Sequence, residues 1–168
     1  ISIIQFKLEG EIIKRHPEFD MADRMVLDFI NYETGTVKLD GKEYPMLCDY
    51  FPTVDPADPY RLTEEERLVV ERLMTGFLNS ERLQKHVQFL FSKGSMYLSY
   101  NDNLLFHGCV PLNPDGSFME LPIANVKYSG KALLDKYEEV LRKGYLNREG
   151  KKHNVRILDL IWYLWEGK

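Results

Sequence analysis

The residues best suited to chemistry in this chain are His107 and Gly108, set in the run Leu104-Leu105-Phe106-His107-Gly108-Cys109-Val110-Pro111. An apolar strand reads as running out into a turn there. A strand end can present an imidazole to a metal ion, while the glycine lets backbone or substrate approach closely. A metal needs several donors, and the spacing offers no second histidine, aspartate or glutamate beside His107, so the residue taken alone also reads as a packed or solvent-facing histidine. Other groups carry competing readings. Lys14 and Arg15 could contact an anionic ligand such as a phosphate, or could face solvent at the end of a helix whose dipole favours cations. Arg82, Lys85 and His86 form a similar small cluster, with His86 expected at the surface or in helix packing. Cys109 could act as a soft ligand, although a small buried thiol is the plainer assignment. Trp162 and Trp165 could stack on a sugar ring, but their spacing on an apolar helix favours packing. His16 and His153 support no argument.

These residues need elements to hold them. Ile4, Leu8 and Ile12 recur at four-residue intervals and predict an opening helix that Pro17 ends. Asp20 is a candidate cap for a second helix whose apolar face would be Met25, Val26, Phe29 and Ile30. Thr36 to Leu39, Asp40-Gly41 and Lys42 to Tyr44 predict a hairpin, since Asp-Gly suits the positive dihedrals of a tight turn. Pro52, Pro56 and Pro59 mark a surface loop. Thr63 and Glu66 have the spacing of a capping box, and Leu68, Val69, Leu73, Phe77 and Leu78 give the helix behind it an apolar face. That face continues through Leu83, Val87, Leu90 and Phe91, with a break expected between Gly76 and Ser80 and a stop at Gly94. Met96 to Tyr100, the turn at Asn101-Asp102-Asn103 and Leu104 onward predict the hairpin that feeds His107. Asn113-Pro114-Asp115-Gly116 is a further turn. Ser129 can cap a helix from Lys131 to about Lys143, buried through Leu133, Leu134, Tyr137, Val140 and Leu141. Asn147 to His153 reads as a loop, and a last helix from about Val155 to Trp165 is apolar on most sides, so exposed apolar surface and self-association are expected.

The chain has 168 residues, 44% of them hydrophobic and 29% charged, enough for one region with a real core. A net charge of -4 and an isoelectric point near 5.6 argue against a nucleic-acid surface, which is usually basic. No apolar run approaches the roughly 18 residues a membrane span requires, and no signal peptide is visible. Cys48 and Cys109 are far apart in sequence, so two free thiols and a cytoplasmic setting are expected. The expected fold class is α+β, mostly helical with a central antiparallel strand group. Residues 1–168 form a single region, with 1–94 mainly helical, 95–128 the strand group with the His-Gly loop, and 129–168 the C-terminal helices.

The segment SMYLSYNDNLLFHGCVP, from Ser95 to Pro111, resembles a stretch of the bacterial class III fructose-1,6-bisphosphatases, a branch of the calcineurin-like metallophosphoesterases. IIQFKLEGEIIKRHPEF near the start, LNSERLQKHVQFLFSKGS before the hairpin, YSGKALLD after it and WYLWEG at the end resemble further landmarks of that family in the family's order. The resemblance implies that the strands belong to the two-sheet sandwich of the metallophosphoesterase fold, with the helices as a family-specific elaboration. It also implies an incomplete chain: the Asp-x-His, Gly-Asp-x-x-Asp-Arg, Gly-Asn-His and Gly-His elements of the family are missing, and Ile stands at position 1. The implied parent hydrolyses fructose 1,6-bisphosphate to fructose 6-phosphate and phosphate, a step of gluconeogenesis, by two-metal chemistry with manganese. His107 would be a metal ligand and Gly108 would permit the turn, and the remainder of the parent chain would be the partner that completes the site. Neither a nucleic acid nor a membrane is implied as a partner, and a homo-oligomer is compatible with the apolar surface. The fragment alone is expected to be inactive. Two other readings stand beside this one: another calcineurin-like phosphoesterase such as a protein phosphatase, and a non-catalytic helical module that binds a partner. The helical landmarks weigh against the first.

Overall fold

The structure is a computed structural model that describes residues 1–106, 108–123, 126–146 and 155–167. It is α+β and mostly helical, as the residue pattern predicts, with short antiparallel strands between the helices. The chain divides into two compact units, Ile1–Asn79 and Ser80–Gly167.

In the first unit, helix α1 (Ser2–Arg15) stops where Pro17 forbids continuation. Its buried residues are Lys7, Gly10 and Ile13. Of the residues whose recurrence predicts the helix, Ile4 and Ile12 are half-buried and Leu8 is 38% exposed. The reason is tertiary: the Lys7 ammonium donates to Glu66 Oε2 at 2.8 Å and to the Thr53 carbonyl at 2.6 Å, so a charged residue can go inside. Gly10 faces the Tyr60 ring, and a Cβ there would lie 2.1 Å from Tyr60 Cδ1.

The second helix expected after Asp20 does not form. Asp20 adopts a left-handed φ of 52°, which breaks the helical path, and three 3-10 turns follow one another at Pro17–Phe19, Ala22–Arg24 and Val26–Phe29. They turn Phe19, Met21, Met25 and Leu27 into the core beside Ile13 and Tyr60. His16 is buried with them, stacked on Phe19 at 4.6 Å, with Nδ1 2.9 Å from Glu18 Oε1.

A small sheet of β1 (Ile30–Asn31), β2 (Thr36–Leu39) and β3 (Lys42–Pro45) pairs in that order, and the Asp40-Gly41 turn has φ of 50° and 77°. Both values are positive, as the tightest hairpin turn requires. The proline-rich stretch from 52 to 59 runs over the surface. Helix α2 (Glu64–Leu78) begins with the full capping box: Thr63 Oγ1 accepts from the Glu66 amide, and the Glu66 carboxylate accepts from the Thr63 amide at 2.9 Å. Only its first turns dock. Leu73, Met74, Phe77 and Leu78 are all more than half exposed, so most of the apolar face read from the sequence stays at the surface there.

The second unit opens with α3 (Glu81–Lys93), capped by Ser80 and closed at Gly94, so the expected break after Gly76 falls at Asn79-Ser80. Two separate ribbons follow: β4 (Tyr97–Tyr100) with β5 (Asn103–Phe106), and β6 (Leu121–Ile123) with β7 (Val126–Tyr128). Among the described residues these strand pairs share no ladder, so the central group is a pair of hairpins rather than one sheet. Helix α4 (Gly130–Leu146) buries Leu133 and Tyr137, and α5 (Val155–Glu166) packs on it and buries Asp159 and Leu160. Ile157 of α5 is close enough to Gly144 of α4 that a Cβ there would meet its methyl at 2.7 Å. Trp162 is half-buried and Trp165 is 84% exposed. The loop expected from Asn147 to His153 lies outside the described residues.

Candidate functional site

The β4–β5 ribbon is an antiparallel pair in the register Tyr97 to Phe106, Leu98 to Leu105, Ser99 to Leu104 and Tyr100 to Asn103. Asn101 and Asp102 turn it with φ of 48° and 59°, a conformation that asparagine and aspartate tolerate better than other side chains. Neither face is covered: Leu98 and Leu105 are exposed on one side, Leu104 and Phe106 on the other. The ribbon ends at Phe106, and His107, the next residue, lies outside the described residues. Gly108 follows with φ of 91°, and a Cβ on it would meet nothing within 4 Å. It is therefore backbone conformation, not crowding, that favours glycine here. Cys109 is exposed, which corrects the expectation of a buried thiol, and Cys48 is also free and exposed.

The start of the ribbon is tied to α4 by polar contacts. Glu138 Oε2 accepts from Ser95 Oγ at 2.6 Å and from the Met96 amide at 3.1 Å. Its other oxygen accepts two bonds from Arg142, through Nε at 3.0 Å and Nη2 at 2.8 Å. Arg142 also donates to the carbonyls of Phe91 and Gly94, at 2.5 and 2.8 Å, satisfying acceptors that the end of α3 leaves open. One turn earlier, Asp135 Oδ1 accepts from the Tyr97 hydroxyl at 2.9 Å while Oδ2 accepts from Lys131 at 2.6 Å. The Ser95 hydroxyl bond holds the Glu138 carboxyl below its usual range against the opposing effect of burial, with the Met96 amide and Arg142 adding to it. Lys131 and then Tyr97 lower Asp135 in the same way.

Of the other candidates, Lys14 and Arg15 belong to the first unit, and Arg82, Lys85 and His86 to the second. The Lys14 ammonium lies 4.5 Å from the centroid of the Tyr60 ring and 3.6 Å from Glu11. Arg15 is exposed in the last turn of α1. Arg82, Lys85 and His86 are exposed on α3. Among the described residues no three histidine, cysteine, aspartate or glutamate side chains come together in a way that could hold a metal ion. The described residues therefore do not fit a metal centre by themselves. No described helix is long and apolar enough to cross a membrane.

A family profile described as Firmicute fructose-1,6-bisphosphatase matches residues 1–168. The chain belongs to this fructose-1,6-bisphosphatase family. The resemblance carried by the five sequence landmarks is thereby borne out over the whole chain. Among curated relatives, the class 3 fructose-1,6-bisphosphatase of Clostridium novyi strain NT is 56% identical over 167 residues, which cover 99% of this chain and 25% of the relative. That of Listeria monocytogenes strain EGD-e is 54% identical over 99% of this chain and 26% of its own length. That of Clostridioides difficile strain 630 is 55% identical over 100% of this chain and 25% of its own length. The chain thus spans about a quarter of the length of these members of the fructose-1,6-bisphosphatase family. No solved structure matches it.

Proposed function

We propose that this chain is part of a cytoplasmic, metal-dependent enzyme that hydrolyses fructose 1,6-bisphosphate to fructose 6-phosphate and phosphate, the gluconeogenic step for which its relatives are named. The observation that carries this reading is the 54 to 56% identity to class 3 fructose-1,6-bisphosphatases over essentially the whole chain. Manganese is the proposed metal. Its centre would take one donor from this chain, the imidazole of His107, with the positive φ of Gly108 allowing the chain to turn away at once. The remaining donors would come from parts of the enzyme outside these residues, since the described ones assemble no cluster. Lys14 and Arg15 remain candidates for the sugar phosphate; for Lys14, binding would have to draw the ammonium off the Tyr60 ring.

The test is a substrate panel on the full-length parent with manganese, comprising fructose 1,6-bisphosphate, other sugar phosphates and a phosphoserine peptide. Release of phosphate from fructose 1,6-bisphosphate alone is the expected result; preference for the phosphopeptide would overturn the reading in favour of a protein phosphatase. The 168-residue chain by itself is expected to release none. In the parent, His107→Ala should lower turnover by at least about 100-fold and reduce bound metal with the far-ultraviolet circular dichroism unchanged. Full activity with normal metal content would remove His107 from the site.

A further inference from the structure

The strand assemblies of this chain treat their edges differently. A free edge is ordinarily guarded by charge, proline or shortness, because its unpaired amides and carbonyls would otherwise accept a further strand. In the first unit β1 is two residues long, and the opposite outer strand, β3, carries Lys42 and Glu43 and ends in Pro45. In the second unit β6 contains Pro122 and β7 contains Lys127. The β4–β5 ribbon lacks such guards: Tyr97-Leu98-Ser99-Tyr100 and Asn103-Leu104-Leu105-Phe106 hold neither charge nor proline. Its composition points the same way. A strand with water on one side alternates apolar and polar residues, whereas Leu104-Leu105-Phe106 is apolar on both sides. Those three side chains, with Leu98 and Tyr100, are 45 to 65% exposed. A two-stranded ribbon exposed in this way is marginal in water.

What holds the ribbon acts on one strand. A rail of Arg142, Glu138 and Asp135 on α4 binds the residues that lead into β4 and the Tyr97 hydroxyl. Among the described residues β5 bonds only to β4 and, through the Asn103 side chain, to the turn. Every second residue of β5 therefore turns its amide and carbonyl away from β4 toward an open side. We propose that this outer edge of β5 is a docking site for an extended, apolar segment of the same polypeptide, supplied by the part of the enzyme outside these 168 residues and paired to β5 as a third strand. In strand addition of this kind backbone bonds supply the attachment and alternate side chains the fit. The chain covers 25 to 26% of the length of its relatives, which leaves the larger part of such an enzyme to provide the strand. A segment of the same polypeptide meets the edge at a high effective concentration, ahead of a second copy or another protein. The pairing depends on family membership and on no particular substrate.

Hydrogen exchange on the wild-type full-length parent, resolved to single amides over residues 103 to 106, tests this without a substitution. With a strand on either side of β5 all of its amides are bonded, and each should exchange at least about 100-fold more slowly than in a free peptide. Slow and fast amides in alternation along β5 would show the edge still open and would overturn the proposal. A photoreactive side chain then identifies the occupant. Leu104→p-benzoylphenylalanine and Leu105→p-benzoylphenylalanine place one on each face of β5, and the irradiated parent, kept dilute, is mapped by mass spectrometry. Neither readout measures phosphate release, so both stand apart from the test of the bisphosphatase reading. Links within one chain to a segment outside these residues are the expected result. Links that join two copies, links confined to residues 1–168, or no link from either position would refute the assignment.

Discussion

Replacing Lys7 with methionine should destabilise the first unit heavily and reverse the pH dependence of its stability. The ammonium is fully buried, 2.8 Å from a Glu66 carboxylate that is itself 7% exposed. Methionine fills the space of the stem but supplies no charge, leaving Glu66 as a buried anion. Removing one partner of a buried pair costs about 3 to 5 kcal/mol, and the lower end applies here. Glu66 keeps the Thr63 amide and the N-terminal end of α2, and the Thr53 carbonyl, in an exposed residue, can turn to water. About 3 kcal/mol corresponds to roughly a 100-fold rise in the opening equilibrium. In the wild type, burial works to raise the Glu66 pKa, but bonds from Lys7, Thr53 and Thr63 together outweigh it and the carboxyl lies below its ordinary 4.5. Its contribution is thus present above that value and is lost as the pH falls through the lower folded value. In Lys7→Met, burial acts without the cation, the folded pKa rises above 4.5, and protonation relieves the penalty, so the variant should gain stability between pH 7 and pH 5 where the wild type stays level. Hydrogen exchange of α1 and α2 amides reads this directly, while Trp162 and Trp165 fluorescence reports on the second unit as a control. Lys7→Met/Glu66→Gln should recover most of the loss, because the amide oxygen can still serve the Thr63 cap. A cost below about 1 kcal/mol at pH 7, or a level pH profile in the single variant, would refute the reasoning.

Two helical glycines should respond to alanine with opposite signs. Gly10→Ala drives a methyl to 2.1 Å from a Tyr60 ring that is 2% exposed, so overpacking of about 1 to 3 kcal/mol should exceed the helix-propensity gain and lower the melting temperature. Gly76→Ala meets nothing within 4 Å on an exposed turn of α2 and should stabilise that helix by up to about 1 kcal/mol. Tyr60→Phe should change stability in urea denaturation by no more than about 1 kcal/mol, since among the described residues the buried hydroxyl finds no partner in good geometry, the Asp28 and Leu27 backbone only facing it, and burial pushes its pKa up to about 12.

Much of the local structure was legible in the order of residues. The Thr63 capping box, the Asp40-Gly41 and Asn101-Asp102 turns, the stop at Pro17 and the break at Asn79-Ser80 all depend on groups within about four residues of one another, so their chemistry is present before any tertiary contact forms. Family membership was legible for a related reason: five separated landmarks in one order constitute a sequence pattern whether or not the chain is folded. The errors are of another kind. The four-residue recurrence in α1 predicts the helix but not which side goes inside: a lysine and a glycine are buried beside Ile13, while Leu8 stays out. The sequence makes Asp20 a candidate helix cap, yet its left-handed backbone serves a chain of 3-10 turns whose inward residues are chosen by the core they meet.

The candidate site divides along the same line. The hairpin that precedes His107 is a matter of neighbouring residues, and the sequence alone sufficed to predict it. The rail of Asp135, Glu138 and Arg142 could not be found that way, because nothing in a solvated-looking i, i+4 pair on a helix announces that its partners are carbonyls and amides about 40 to 50 positions earlier. Lys7 and Glu66 are 59 residues apart and acquire their meaning only when α1 and α2 come together and exclude water from both. Local stereochemistry thus determined which turns, caps and helices this chain can make. Which charges became buried, and which helix came to hold the ribbon that leads to His107, were decided by tertiary packing, since desolvation and long-range pairing do not exist until the chain has folded.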